Sequence, residues 1–209
     1  MKITKKRLTV FGAVLILLAA VIVAVSIFFP PKADVIIDPG HGGNDVGAQY
    51  DGRNEKDDNL ELALLVAEKL KDSGVKVKLT RDDDTFISLE NRCKFANRRR
   101  AELFVSLHRN SAESGKGVEI WISSDEPQKD LRLAENILQG LDKVGISNNR
   151  GVKSGYAQGD GNYYVNSHTD MPSCLAEIGF ITSETDNALL DKNLEEYADA
   201  IAEAIKESL

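Results

Sequence analysis

The chain predicts an α/β domain: a single, mostly parallel sheet flanked by helices. Three observations predict it. Apolar, β-branched runs recur at 34–38, 103–107 and 173–180, the composition of strands covered on both faces. Two helical patterns alternate with the first three strand patterns, and right-handed crossovers make such βαβαβ strands parallel. The first and third strands each hand on a histidine, His41 beyond Pro39-Gly40 and His108 directly after Leu107. If these two are to meet, strands one and three must be neighbours with strand two outside. The order is then 2-1-3, with a topological switch point between one and three, where α/β sheets collect functional groups. That order rests on a functional use of the histidines, not on periodicity.

The elements follow in turn. Strand one, 34–38, stops at Pro39-Gly40-His41-Gly42-Gly43. A Gly-rich loop covers 40–56 and ends in Asn54-Glu55-Lys56. A helix at 57–72 places Leu60, Leu64, Val66, Ala67 and Leu70 at helical spacing and stops at Asp72-Ser73-Gly74. Val75 to Thr80 alternates as a strand. Ser88 can cap a helix at 89–100. After strand 103–107 come an alternating strand at 117–123, an amphipathic helix at 128–144 and a Gly- and Asn-rich loop at 148–162 with one short extended piece. A short strand at Tyr163–Val165 precedes the strand at 173–180, and two helices, 183–191 and 193–208, close the chain.

Charge is unevenly placed. Residues 1–32 carry five basic side chains and no acid. The remaining residues hold 21 basic and 33 acidic side chains, a net of −12, which argues against nucleic-acid binding and against a basic membrane-surface patch on the folded part. Leu8 to Phe29 is uncharged and long enough to span a bilayer, and Lys2, Lys5, Lys6 and Arg7 precede it. We expect a basic cytoplasmic tail at 1–7, a transmembrane anchor at 8–29, a linker at 30–33 and one domain at 34–209. A cleaved signal peptide is the competing expectation. Both put the domain outside the cytoplasm: membrane-anchored on its outer side, or secreted. Export would permit a Cys93–Cys174 disulfide. Each cysteine also reads as a small buried hydrophobe.

Histidine is scarce: His41, His108 and His168. A catalytic zinc takes about three protein ligands, commonly two His and a carboxylate, and keeps a position open for water. Glu55 ends the loop that His41 begins, and glycines let that loop fold back. The spacing H-x13-E-x52-H is not diagnostic by itself. Glu177 is an acid inside an apolar strand, where acids are paired or functional. It is either bonded to Arg81 or Arg92, or a general base beside a metal.

Several stretches resemble one known family, the zinc-dependent N-acetylmuramoyl-L-alanine amidases (type-3 amidase catalytic domain). Ile36-Ile37-Asp38-Pro39-Gly40-His41-Gly42-Gly43 looks like the family's first zinc motif, and Asn54-Glu55-Lys56 like the motif that supplies a glutamate ligand. Leu79-Thr80-Arg81 and 89–97 resemble its central block. Phe104-Val105-Ser106-Leu107-His108-Arg109-Asn110-Ser111-Ala112 is similar to its second histidine motif, and Met171 to Ile181 to the block with the catalytic glutamate. The resemblance covers about 34–208. It implies Zn2+ on His41, Glu55 and His108, Glu177 as catalytic acid/base, and hydrolysis of the amide between N-acetylmuramic acid and L-alanine in peptidoglycan stem peptides. A membrane-anchored, inactive wall-binding or regulatory protein of the same fold is the alternative. Arg109 stands where the family has a small or amide residue, which implies an altered rim of the site. Ala176 replaces a branched residue. His168 matches no family ligand and reads as a loop residue.

Overall fold

The computed structural model describes residues 32–209, together with Val14, Ile16 and Leu17 of the N-terminal stretch. The expected membrane span therefore lies outside the described residues but for those three. Among the described residues no helix is long and apolar enough to cross a membrane. Residues 33–209 form one unit.

In chain order its elements are β1 (Val35–Pro39), β2 (Gln49–Tyr50), β3 (Arg53–Asn54), α1 (Glu55–Asp72), β4 (Val77–Leu79), α2 (Leu89–Arg99), β5 (Leu103–Asn110), β6 (Val118–Ile122), α3 (Pro127–Val144), β7 (Asn149–Ser154), α4 (Tyr164–His168), β8 (Ser173–Phe180) and α5 (Glu184–Ser208). Six strands make the sheet in the order β4-β1-β5-β8-β6-β7. The expected 2-1-3 arrangement is its first half: β1 pairs in parallel with β4 on one side and β5 on the other. The sheet is mostly parallel. Its one antiparallel pairing joins β6 to β8.

Every residue of β1, β6 and β8 is buried, as near-continuous apolar strands demand. One face carries Val35, Ile37, Val105, Leu107, Ile120 and Ile178, packed with apolar residues of α1, α3 and α5. The other face carries Ile36, Phe104, Trp121 and Leu175, packed with Cys93 and Ala96 of α2 and Val165 of α4. Both cysteines are buried and free, the small-hydrophobe alternative of the two. Ser88 caps α2, accepting from the Asn91 N–H at 3.4 Å.

Three expectations need correction. The helix after the Gly-rich loop starts at Glu55, not at 57, so the acid enters the first turn, where the helix dipole favours negative charge. The loop itself contains a two-stranded hairpin, β2–β3, turned by Asp51 (φ 47°) and Gly52 (φ 78°), a primed turn signalled by the Asp-Gly pair. Tyr163–Val165 is not a strand. Tyr163 precedes α4 and its carbonyl accepts the N–H groups of Asn166 and Ser167. Its ring stands edge-on to Trp121 and Tyr156, so tertiary packing overrides an aromatic β preference. The two closing helices stand as expected: α5 is two helical stretches that meet at a kink, where Asn193 has a non-helical backbone.

Candidate metal centre and active site

Strand β1 ends where the chain must turn sharply to expose a side chain. His41 takes a left-handed backbone (φ 60°), which only a few per cent of non-glycine residues adopt. Two buried arginines hold it there. Arg92 donates to the carbonyls of Pro39 (2.7 Å), His41 (2.6 Å) and Ile87 (2.8 Å), and Arg81 to those of Pro39 (3.1 Å) and Gly40 (2.9 Å). Arg92 also pairs with Asp38 at 2.6 Å, both side chains being almost fully buried. Asp38 further accepts from Thr80 and Ser106. Burial pushes the Asp38 carboxyl up, but Arg92 and these hydroxyls outweigh it and hold it below the usual carboxylate range. Neither arginine reaches Glu177: the pairing alternative for that acid is wrong, because both guanidinium groups are spent on the loop of His41.

His41, Glu55 and His108 converge. Their candidate ligand atoms all lie within 4.8 Å of one another. Glu55 Oε1 is 3.1 Å from His41 Nε2 and 2.8 Å from His108 Nδ1. The same oxygen accepts the Arg109 N–H at 3.1 Å, while Oε2 accepts that of Ala48 at 2.9 Å. Burial would raise the Glu55 carboxyl, yet the hydrogen bonds and charge of the two imidazoles drive it far below the ordinary value. The His41 imidazole is also buried, which lowers its pKa, but Glu55 and Asp45 more than reverse that. His108 lies within β5 rather than after it, since the strand runs on to Asn110.

The surroundings fit a metal. Asp45 Oδ1 lies 2.9 Å from His41 Nδ1, leaving Nε2 for the centre, the carboxylate–histidine support that metal sites use. Sequence reasoning missed Asp45, although it lies four residues beyond His41 in the same turn. Two glycines clear the space. A Cβ on Gly40 would overlap the His108 ring; one on Gly47 (φ 68°) would come within 2.6 Å of Glu55 Oε2 and 2.7 Å of His41 Cδ2. Asp45→Ala is therefore expected to weaken zinc binding by roughly 10- to 100-fold, read by competition with a chromophoric chelator, with Asp45→Asn retaining more because its amide oxygen still accepts. Gly47→Ala is expected to weaken it by a comparable factor, on the order of tenfold or more, because Glu55 and His41 must both shift.

Glu177 completes the group. It is the partner of His108 in register across β5 and β8, lines the same cleft of about 780 Å³ as His41, Glu55 and His108, and is only 8% exposed. Its Oε2 is buried without a hydrogen-bond partner. Burial first, then the charges of Glu55 and Glu119, push its carboxyl well above the usual range; Arg109 opposes them. The four residues singled out from sequence thus stand together.

Two other residues do not stand where expected. Arg109 is among the residues that line the cleft, but its guanidinium is buried and not at the rim. It is 3% exposed, pairs with Asp58, and donates to Asn187 Oδ1 at 2.6 Å, because two acceptors beneath the strand satisfy its guanidinium. Arg53 joins the same Asp58 at 2.7 Å and Asp191 at 2.6 Å, tying the hairpin to α1 and α5. His168 ends α4 rather than lying in a loop. Its ring stacks 3.7 Å from that of Tyr164, which lines the cleft.

Comparison with known proteins places this geometry in context. A family whose description is N-acetylmuramoyl-L-alanine amidase matches residues 35–207. The chain is 42% identical over 173 residues to the uncharacterized protein YqiI of Bacillus subtilis, covering 82% of this chain and 80% of that one. It is 37% identical over 174 residues to the N-acetylmuramoyl-L-alanine amidase LytC of the same organism, covering 82% of this chain but 34% of LytC, so it spans about a third of that relative's length. Among solved structures, the N-acetylmuramoyl-L-alanine amidase AmiC2 of Nostoc punctiforme superposes with a TM-score of 0.72 at 37% identity, over 83% of this chain and 95% of that one.

Proposed function

The chain belongs to the N-acetylmuramoyl-L-alanine amidase family, and on that premise we propose that it hydrolyses the amide between the lactyl group of N-acetylmuramic acid and the L-alanine of a peptidoglycan stem peptide. The observation that carries this reading is the row formed by the His41/Glu55/His108 group and Glu177, its partner across one strand pairing.

His41, Glu55 and His108 would hold zinc through two imidazoles and a carboxylate. Bound there, zinc would lower the pKa of a water toward neutrality and polarise the amide carbonyl. The remaining work falls to the chain's own side chains. Glu177 takes the proton of the attacking water at a carboxylate oxygen. It then delivers that proton to the amide nitrogen as the C–N bond breaks, so the stem peptide leaves with a free amine. A carboxyl that burial inclines to its protonated form is suited to the second half of that cycle. Asp45 keeps the His41 ring turned, and the Arg81 and Arg92 guanidinium groups keep its backbone in place.

Mass spectrometry of peptidoglycan digested by the zinc-loaded chain tests the reading. Release of intact stem peptides with a free L-alanine amine is expected. Cleavage within the stem, or loss of N-acetyl groups, would replace it with a peptidase or a deacetylase. A chain that binds no zinc and leaves peptidoglycan intact would be a wall-binding or regulatory protein. We also propose that residues 8–29 anchor the chain in the cell membrane with the domain on the outer side, supported by the uncharged length and the basic residues before it. Protease added to intact cells is expected to remove the domain and leave a membrane-bound stub.

A further inference from the structure

The polar row does not stop at Glu177. Glu119 of β6 is the in-register partner of Glu177 on its other side, so His108, Glu177 and Glu119 stand side by side across β5, β8 and β6. Like charges directly opposite one another destabilise a strand pair, so Glu119 needs a reason to be there. Its side chain is 3% exposed and fully engaged. Oε1 accepts from Asn110 (2.9 Å) and Trp121 (3.0 Å), both neutral donors. Oε2 takes two cations, Arg150 and Lys153 of β7, each at 2.6 Å. One carboxylate cannot neutralise both.

These cations are built into place. The Arg150 guanidinium lies 5.0 Å from the centre of the Phe180 ring, and Lys153 Nζ lies 5.2 Å from that of Trp121. Each keeps 32% of its side chain exposed, although their shared acid is buried. The folded domain is strongly acidic, so this pair is a local exception, joined through Glu119 to Asn110 and through Trp121 to Tyr163, two residues that line the cleft.

We propose that Arg150 and Lys153 bind a carboxylate of the stem peptide beyond the scissile L-alanine, and so make the chain selective for stem peptides whose second residue carries a free acid rather than an amide. This rests on the amidase reading for where the peptide lies. The distances suit it. Strands are about 4.8 Å apart, so β7, which carries the cations, runs on the order of 10 Å from β8, which carries Glu177. An extended peptide advances about 3.3 Å per residue, so the pair falls two to three residues from the bond that Glu177 serves. Glu119 holds the two cations together, and its neutral donors leave their surplus charge for the substrate.

Calorimetry on the full chain, purified in detergent and loaded with zinc, tests the site with two released stem peptides that cannot be hydrolysed further. One is L-alanyl-γ-D-glutamyl-L-lysine and the other carries D-isoglutamine in place of the D-glutamate. The acid form is expected to bind about tenfold more tightly, the lower end of what a hydrogen bond between charged groups contributes. Lys153→Gln and Arg150→Gln are each expected to remove most of that preference, and Lys153→Arg to keep it. Each Gln variant leaves Glu119 one cation and two neutral donors, and circular dichroism checks the fold. Equal binding of the two peptides by the wild type, no binding of either, or a preference that survives both Gln variants would overturn the assignment. If a Gln variant does not fold, the wild-type comparison still decides. Peptide preference without release of stem peptides from peptidoglycan would keep this site and remove the amidase reading. Release without preference would do the reverse.

Discussion

Glu177→Gln is expected to lower kcat on peptidoglycan by roughly 10²- to 10⁴-fold, the range that a positioned acid/base contributes. Zinc stoichiometry and melting temperature should stay close to those of the parent chain. The side chain takes no part in the hydrogen bonds that join His41, Glu55 and His108, and its Oε2 has no partner to lose. Glutamine fills the same volume and removes one of two facing acids, since Glu119 lies directly opposite. Stability should therefore hold or rise slightly while turnover collapses. Single-turnover rates with zinc quantified in the same sample check this. Wild-type rates in a zinc-replete variant would remove Glu177 from the reaction.

Asp38→Ala is expected to cost the fold about 3–5 kcal/mol, because it strands a buried guanidinium. The Arg92 side chain is 3% exposed, and among the described residues Asp38 is its one acidic partner at salt-bridge distance. Against a typical total of about 5–15 kcal/mol, such a loss is large. Thr80 and Ser106 would lose an acceptor at the same time. The effect would also reach the metal centre, since Arg92 holds the carbonyl of His41 in a left-handed backbone. Urea denaturation, with zinc affinity measured on whatever remains folded, reads both consequences. A charge-removing change at exposed Asp84, paired with Lys56 at the surface, should by contrast cost little. The pH dependence follows from the same pair. The Asp38 carboxyl is held below its ordinary value, so its contribution is complete above the unfolded value near 4 and is lost as pH falls through the lower folded one.

The architecture was legible because burial on both faces leaves a mark in composition. Val35-Ile36-Ile37, Leu103-Phe104-Val105 and Ser173 to Phe180 could be nothing but covered strands once helices alternated with them. The helix caps at Ser88 and Ser183 were legible or discoverable for a local reason, a hydroxyl accepting from an N–H three residues on. Where the local signal and the tertiary surroundings disagreed, the surroundings won. Tyr163-Tyr164-Val165 has strand composition, yet the ring of Tyr163 is fixed between Trp121 and Tyr156 and the chain turns there into α4.

For the site, sequence by itself singled out the four candidate residues: two histidines at or just past strand ends, an acid closing a glycine-rich loop, and an acid inside an apolar strand. Those residues are costly to place anywhere else, which is why they stand out. The tertiary structure alone decided what surrounds them. Asp45, Asp38, Arg81, Arg92, Arg109 and Glu119 are ordinary charged residues in a chain where 28% of residues are charged, and nothing local separates them from solvated ones. Apart from Asp45, whose partner His41 is four positions away, their importance comes from burial and from partners far along the chain, 42 positions for Arg81 on Pro39 and 54 for Arg92 on Asp38. A buried charge is stable only when distant segments supply its partner, and the distance between segments exists only in the folded chain.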